Sequence, residues 1–388
     1  MTVRKIIIIV FSFQVMLNIT RPLVTLFAND LGASTLDVGM LTASYSFFPL
    51  ILAIYAGRFA DRFGDKVPIV GGVIGGMTGL VVPYCFPSMW ALYASQVIIG
   101  ISHIFTHVSL QNLLGHVSTK ETRDHNYSIF SLFIALSNFI GPIAGGYLAE
   151  HYSYAIAYIV SAVIGIVPIL FTFTMPAIAR KKEAEEASAA REEEKSSTFG
   201  LLKIPVIRNA IATSALVLYS RDIFVAYFPL YALEIGMSNS RIGWVVALQG
   251  LAMIPVRLFL AKATKKWGRE PVLLASILLA GATFALVPVT GDFYVLLTLS
   301  TLMGVGLGVG QPLSLSTTFN ASPKNKTGEI MGLRLAVNRL SQLIAPLFFG
   351  IVGNWLGVAS VFYVSGAFLL GGSYMAKPSK NGSDSGRE

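Results

Sequence analysis

The chain is a succession of apolar blocks, each about as long as a helix must be to cross a hydrocarbon core. Twelve can be counted in its 388 residues, near 6–28, 36–56, 67–83, 90–114, 127–148, 154–175, 207–233, 242–261, 271–289, 293–318, 330–353 and 358–375. None alternates apolar and polar residues as a membrane β-barrel strand does. Charged residues make up 13% of the chain, about half the share usual in soluble domains. The pattern predicts an all-α membrane protein with twelve transmembrane helices. The short basic segment before the first block lacks a small-residue cleavage site, so an uncleaved first helix is expected. Cys85 is the single cysteine, so no intrachain disulfide can form.

The net charge of +9 does not indicate nucleic-acid binding. With the N-terminus inside, 23 of the 29 basic residues fall in cytoplasmic loops and tails, one (Arg241) falls outside and five lie in helices. This is the positive-inside bias that orients membrane proteins. The expected location is the plasma (cytoplasmic) membrane, multi-pass, with both termini cytoplasmic.

The hydrophilic stretch Arg180–Lys203 splits the blocks six and six and reads as a solvated linker. The expected organisation is an N-terminal six-helix bundle over 1–175, a cytoplasmic linker over 176–205, a C-terminal bundle over 206–376 and a cytoplasmic tail over 377–388. The halves repeat in one register. Gly32, Gly39, Gly64, Gly100, Pro142 and Gly146 each find the same residue type 204 positions later, at Gly236, Gly243, Gly268, Gly304, Pro346 and Gly350. An even number of helices per half makes the halves parallel, related by an axis along the membrane normal. Two such bundles enclose a central cavity that can open to either side.

The loop between the second and third blocks reads Gly-Arg-Phe-Ala-Asp-Arg-Phe-Gly-Asp-Lys from Gly57 to Lys66. It resembles the signature Gly-x-Leu-Ala-Asp-Arg-x-Gly-Arg-Lys of the major facilitator superfamily at Gly57, Ala60, Asp61, Arg62, Gly64 and Lys66, and departs from it at Phe59 and Asp65. With twelve helices, a linker and a half-repeat, the resemblance covers nearly the whole chain. It implies two six-helix pseudo-repeats working by alternating access. It also implies a gating latch at Gly57, Asp61, Arg62, Gly64 and Lys66, with Gly57 permitting close helix approach and Asp61 facing a helix N-terminus. The repeat copy has lost the acid, since Lys265 stands where Asp61 stands.

Ser137–Gly146 resembles the fifth-helix motif of the drug:proton antiporter branch through Gly141, Pro142, Gly145 and Gly146, which implies a kinked, close-packed gating seam. An ordinary small-residue helix contact explains the same residues. The arginine this branch carries in the fourth helix is Gln96 here, so a proton relay through it does not carry over.

An ionisable group inside a bilayer costs several kcal/mol, ~3 on insertion scales, and marks a functional candidate. Asp222, in the seventh block, is the one acidic residue far from any loop, tail or helix end; its repeat partner is Asn18. It can act as a proton-coupling site or sit in a static pair with Arg21 or Arg339. His103 and His107 share a helix face at i and i+4 and suit proton coupling, structural hydrogen bonding or, less readily, a metal. Arg21, Arg221 and Arg339, with Asn18, Asn138 and Gln311, are substrate-binding candidates. Deep arginines outnumbering one carboxylate favour an anionic or carboxylate-bearing substrate.

No phosphate-binding loop and no nucleophile–His–acid constellation is present, so neither an ATP-driven pump nor an enzyme is expected. No cofactor or metal is expected, and the expected partners are a small-molecule substrate, protons and the lipid bilayer. The expected form is a monomeric secondary transporter exporting a small amphipathic or anionic molecule by proton coupling. Proton-coupled uptake of a sugar or organic acid, and a non-transporting receptor on the same fold, are the alternatives.

Overall fold

The computed structural model describes residues 2–119, 122–175, 204–322 and 327–373. The linker and the C-terminal tail lie outside the described residues, as does the side chain of Asp61. Among the described residues the secondary structure is helical, and eleven helices or broken helices are long and apolar enough to span a membrane. The helix Val358–Gly372 is a shorter twelfth, about 22 Å long at ~1.5 Å per residue.

The first span is broken. Helix α1 (Thr2–Thr20) ends just before Arg21-Pro22, and α2 (Leu23–Asp30) resumes in the same span. Pro22 has no N–H to give the carbonyl of residue 18, so the helical ladder is interrupted there. Helices α3 (Thr35–Phe63), α4 (Lys66–Cys85), α5 (Met89–Val117) and α6 (Arg123–His151) follow. The sixth span is split at Gly165 into α7 (Tyr154–Ile164) and α8 (Ile166–Phe173), where Pro168 leaves the carbonyl of residue 164 without its donor. The second half consists of α9 (Pro205–Glu234), α10 (Asn239–Trp267), α11 (Arg269–Leu286), α12 (Phe293–Ala321), α13 (Thr327–Leu356) and α14 (Val358–Gly372).

The 204-residue repeat of the sequence is a repeat of structural jobs. Gly32 and Gly236, and Gly64 and Gly268, form two pairs of turns at φ between +74° and +85°, a region open to glycine and strained for other residues. In the bundle interiors, Gly100 crosses against the carbonyl of Tyr45, and Gly304 against that of Gln249, which is again the matching position.

The halves meet along two seams, α3 with α13 and α6 with α10, and these are the same pair of repeat elements exchanged. In one seam a Cβ on Gly39 would lie 2.5 Å from the carbonyl oxygen of Pro346, and Gly350 packs on the same glycine. In the other, a Cβ on Gly243 would collide with the carbonyl of Pro142, and Gly146 packs beside it. Both joints lie toward the end of the bundle away from the Gly57–Lys66 loop. At this far end Leu23, Leu26, Val38 and Ala157 of the first half join the apolar core of the second.

The two joints are capped differently. At the start of α3, Ser34 and Asp37 form a capping box, with Asp37 N–H donating to Ser34 Oγ at 3.2 Å and Ser34 N–H to Asp37 Oδ2 at 2.8 Å. At the start of α10, Arg241 replaces Asp37, and Ser238 makes no side-chain cap. There Glu150 at the end of α6 reaches across, and the Ser240 N–H donates to its Oε2 at 2.7 Å. Arg241 instead stacks its guanidinium over the Phe293 ring, 5.4 Å from the centroid.

A Cβ on Gly57 would meet nothing within 4 Å, so the close approach expected of Gly57 is not made in this conformation. Lys66 donates from Nζ to the carbonyls of Phe173 (3.1 Å) and Met175 (3.3 Å), capping the end of α8 within its own half. Arg62 lies over the Phe63 ring. The latch residues with described side chains are therefore engaged inside the first half.

The joint geometry carries a prediction. Gly243→Ala puts a methyl group against a backbone carbonyl and destabilises the closed far end by about 1–3 kcal/mol, the usual cost of overpacking. In a Cys85→Ala background, a cysteine placed at Thr35 should then react faster with an impermeant maleimide supplied from that side. Unchanged labelling would show that the joint does not control access.

Candidate functional site

Between the halves, at mid-depth, lies a cavity of about 330 Å³. Its wall toward the far end is buried, with Val24 6%, Thr25 0% and Ala226 5% exposed, whereas Leu335 on the opposite rim is 51% exposed. The cavity therefore opens toward the end that carries the Gly57–Lys66 loop.

Asp222 is brought here by α9. It stands 17 residues after Pro205 in a 30-residue helix, about 26 Å along at ~1.5 Å per residue. Its residue is only 8% exposed. The break before Pro22 delivers Arg21 from the other half, and Arg21 Nη2 donates to Asp222 Oδ1 at 2.8 Å. The neighbouring turn repeats the crossing with neutral groups, where Thr25 Oγ1 donates to the Ala226 carbonyl at 2.9 Å. The second carboxylate oxygen accepts from Gln342 Nε2 at 2.6 Å, and Gln342 Oε1 accepts from Arg339 Nη1 at 3.1 Å. Chemistry alone fixes that amide orientation, since a carboxylate needs a donor and a guanidinium an acceptor. Asp222 thus holds Arg21 directly and Arg339 through one amide. Gln342 was visible in sequence only as one polar residue among many; its place one turn after Arg339, at i+3, puts the two on one face.

Arg221 also lines the cavity, yet it has no hydrogen-bond or ion-pair partner among the described residues. Asn138 lines it likewise without a partner, and the buried Oδ1 of Asn338 has none either. Asn18 donates to Ser137 Oγ at 3.2 Å. Arg221, Asn18 and Asn138 together border a further void of about 20 Å³ on the side of α10, room for about one water molecule.

His103 and His107 line the cavity from α5 with rings stacked 5.2 Å apart, and His107 Nε2 is 3.1 Å from Gln111 Nε2. Among the described residues no cluster of three or more metal-ligating side chains occurs. Tyr45 faces both His103, at 6.0 Å, and the Arg21 guanidinium, at 5.9 Å. Gln96 is a cavity-lining residue too.

Gln311 is placed differently from its sequence reading. It accepts from Arg334 Nη2 at 2.8 Å and donates to the Ser214 carbonyl at 2.6 Å, so its amide ties α9, α12 and α13 together away from the cavity. Arg334 is consumed in the same tie. Of the small residues in α6, Gly141 packs on Asn18 and Gly145 on Ile19 within the first half, while Pro142 and Gly146 form the joint with α10.

The arrangement resembles known proteins across its length. The family model described as Major Facilitator Superfamily matches residues 6–238 and 210–383. An uncharacterized MFS-type transporter of Methanocaldococcus jannaschii is 23% identical over 367 residues, spanning 92% of this chain and 93% of that protein. The staphylopine export protein of Staphylococcus aureus is 21% identical over 372 residues, with 93% and 90% covered. Among solved structures, the nucleoside transporter NupG superposes with a TM-score of 0.76 at 13% identity, over 97% of this chain and 99% of its own.

The ion pair is open to measurement. Arg21 keeps 37% of its side-chain area exposed, so its coupling to Asp222 should be about 1 kcal/mol rather than the several expected of a fully buried pair. A double-mutant cycle of Arg21→Gln and Asp222→Asn on thermal unfolding reads it directly. A coupling of zero would dissolve the pair.

Proposed function

The chain belongs to the Major Facilitator Superfamily, and from that membership and the geometry of its cavity we propose that it exports a small organic molecule in exchange for protons. It is a multi-pass membrane transporter and not an enzyme; the proteins it resembles are transporters. The basic loop end is taken as cytoplasmic by the positive-inside rule. On that reading the structure is the inward-open conformation, with both joints shut on the outer side and the cavity facing the cytoplasm.

One observation carries the coupling: Asp222, the one carboxylate among the described residues lining the cavity, is bound by Arg21 of the opposite half. A group that must hold or release a counter-charge across the interface can link proton binding to movement of the halves. Protonating Asp222 removes the attraction to Arg21 and loosens the hold on Arg339 through Gln342. Deprotonation restores both. The similarity to an export protein supports the outward direction. Three guanidiniums against one carboxylate give the lining a charge of +2 with the histidines neutral, which supports a substrate that carries an anionic group.

In everted membrane vesicles, uptake of labelled phenylalanine, an amphipathic molecule that carries an anionic group, should rise when a pH gradient is imposed. Asp222→Asn should reduce that rise to the level of vesicles lacking the protein. An undiminished gradient dependence would take Asp222 out of the mechanism.

A further inference from the structure

The proposed exchange makes a demand that a simple anion cannot meet. A ligand of net negative charge binds best when Asp222 is protonated, because the cavity is then one unit more positive. Linkage is reciprocal, so that ligand and the proton would favour each other and cross together. Export against incoming protons needs the opposite, a ligand that competes with the proton at Asp222. A cationic group does that. Yet a purely cationic ligand enters a lining that already carries three guanidiniums.

We propose that the substrate is zwitterionic, with an ammonium group that takes the place of the proton at Asp222 and a carboxylate received by Arg221 and Asn138. This rests on the proton-exchange reading above. The two poles are already separated in the structure. At the acidic pole, Arg21 is the replaceable partner: it is the more exposed member of its pair, and the Tyr45 ring 5.9 Å away offers its guanidinium a resting face. At the basic pole, Arg221 and Asn138 carry N–H donors that no described residue accepts. Arg339 is the less available cation, since Gln342 Oε1 already accepts from it. Residues 221 and 222 leave α9 about 100° apart, so one small molecule can touch both while its carbon skeleton lies along the cavity. The charged and titratable groups around Asp222 are Arg21 from the break between α1 and α2, Tyr45 from α3, His103 and His107 from α5, Arg221 from α9 itself and Arg339 from α13, with Arg257 of α10 acting on Arg221. In the exchange, the Asp222 proton leaves to solvent as the ammonium arrives, so the carboxylate keeps one positive partner throughout.

The test uses purified full-length protein and two matched triplets that differ in charge spacing. One is phenylalanine, 3-phenylpropanoate and 2-phenylethylamine; the other is 6-aminohexanoate, hexanoate and hexylamine. Thermal stabilisation and the protons released in weakly buffered solution are read together. In at least one triplet the zwitterion should stabilise most and release protons. Asp222→Asn should abolish the release and the zwitterion's advantage over the acid. Arg221→Gln should weaken the zwitterion at least about tenfold and bring it level with the amine. If the acid or the amine matches the zwitterion in both triplets, or no compound stabilises the protein, the zwitterion assignment is overturned. Proton release by the amine alone would overturn it while leaving export for protons standing. The acid stabilising most in both triplets, with proton uptake, would overturn both. The wild-type panel decides these outcomes even if a variant fails to fold.

Discussion

A carboxylate buried at the middle of a membrane must find a counter-charge, and here it finds one on the other half of the molecule. Asp222 lies on α9, Arg21 at the break between α1 and α2, and their 2.8 Å contact crosses the interface. The electrostatics of the cavity and the attachment of the two halves are therefore the same interaction. Much else follows from housing it. Pro22 interrupts the first span so that Arg21 can turn inward, Gln342 satisfies the second carboxylate oxygen, and Tyr45 backs the guanidinium. The Thr25 hydroxyl repeats the crossing one turn on, where no charge is needed.

The repeat explains why this centre sits in an otherwise symmetric frame. Turn glycines, crossing glycines and joint residues occur in matching pairs and perform matching jobs. The central position does not match: Asn18 stands in the first half where Asp222 stands in the second, and Asn18 donates to Ser137 within its own bundle. The neutral amide spends its hydrogen bond locally. The acid spends its charge across the interface. One substitution between repeat copies thus separates a packing position from a chemical one.

The twelve helices and their division into two halves were legible in the sequence because block length and a fixed 204-residue register are properties of the chain itself. The register also marked the joint residues, though it could not distinguish a glycine that turns, such as Gly64, from one that meets the other half, such as Gly39. Helix rotation was the harder quantity. In a membrane bundle lipid-facing and core-facing sides are both apolar, so polar residues do not reveal which way they point. Gln311 looked like a cavity residue and ties three helices instead. Gln342 looked like one amide among many and bridges Asp222 to Arg339. For Asp222 the sequence allowed Arg21 or Arg339; the fold uses the first directly and the second through an amide.

The far end closes by two seams built from the same pair of elements, but the seams are not equal. Helix α3 carries its own cap in Ser34 and Asp37, so drawing it away from α13 leaves every backbone donor at its start as it was. Helix α10 borrows its cap from Glu150, and drawing it away from α6 exposes a helix start and a carboxylate at once. Water repays part of that loss, and protonation of Glu150 would remove the rest of the attraction. The α3–α13 edge is thus free to part first while the α6–α10 edge stays fastened. The far end of the molecule is built as a door, with its hinge on the Glu150 side and its free edge at Gly39.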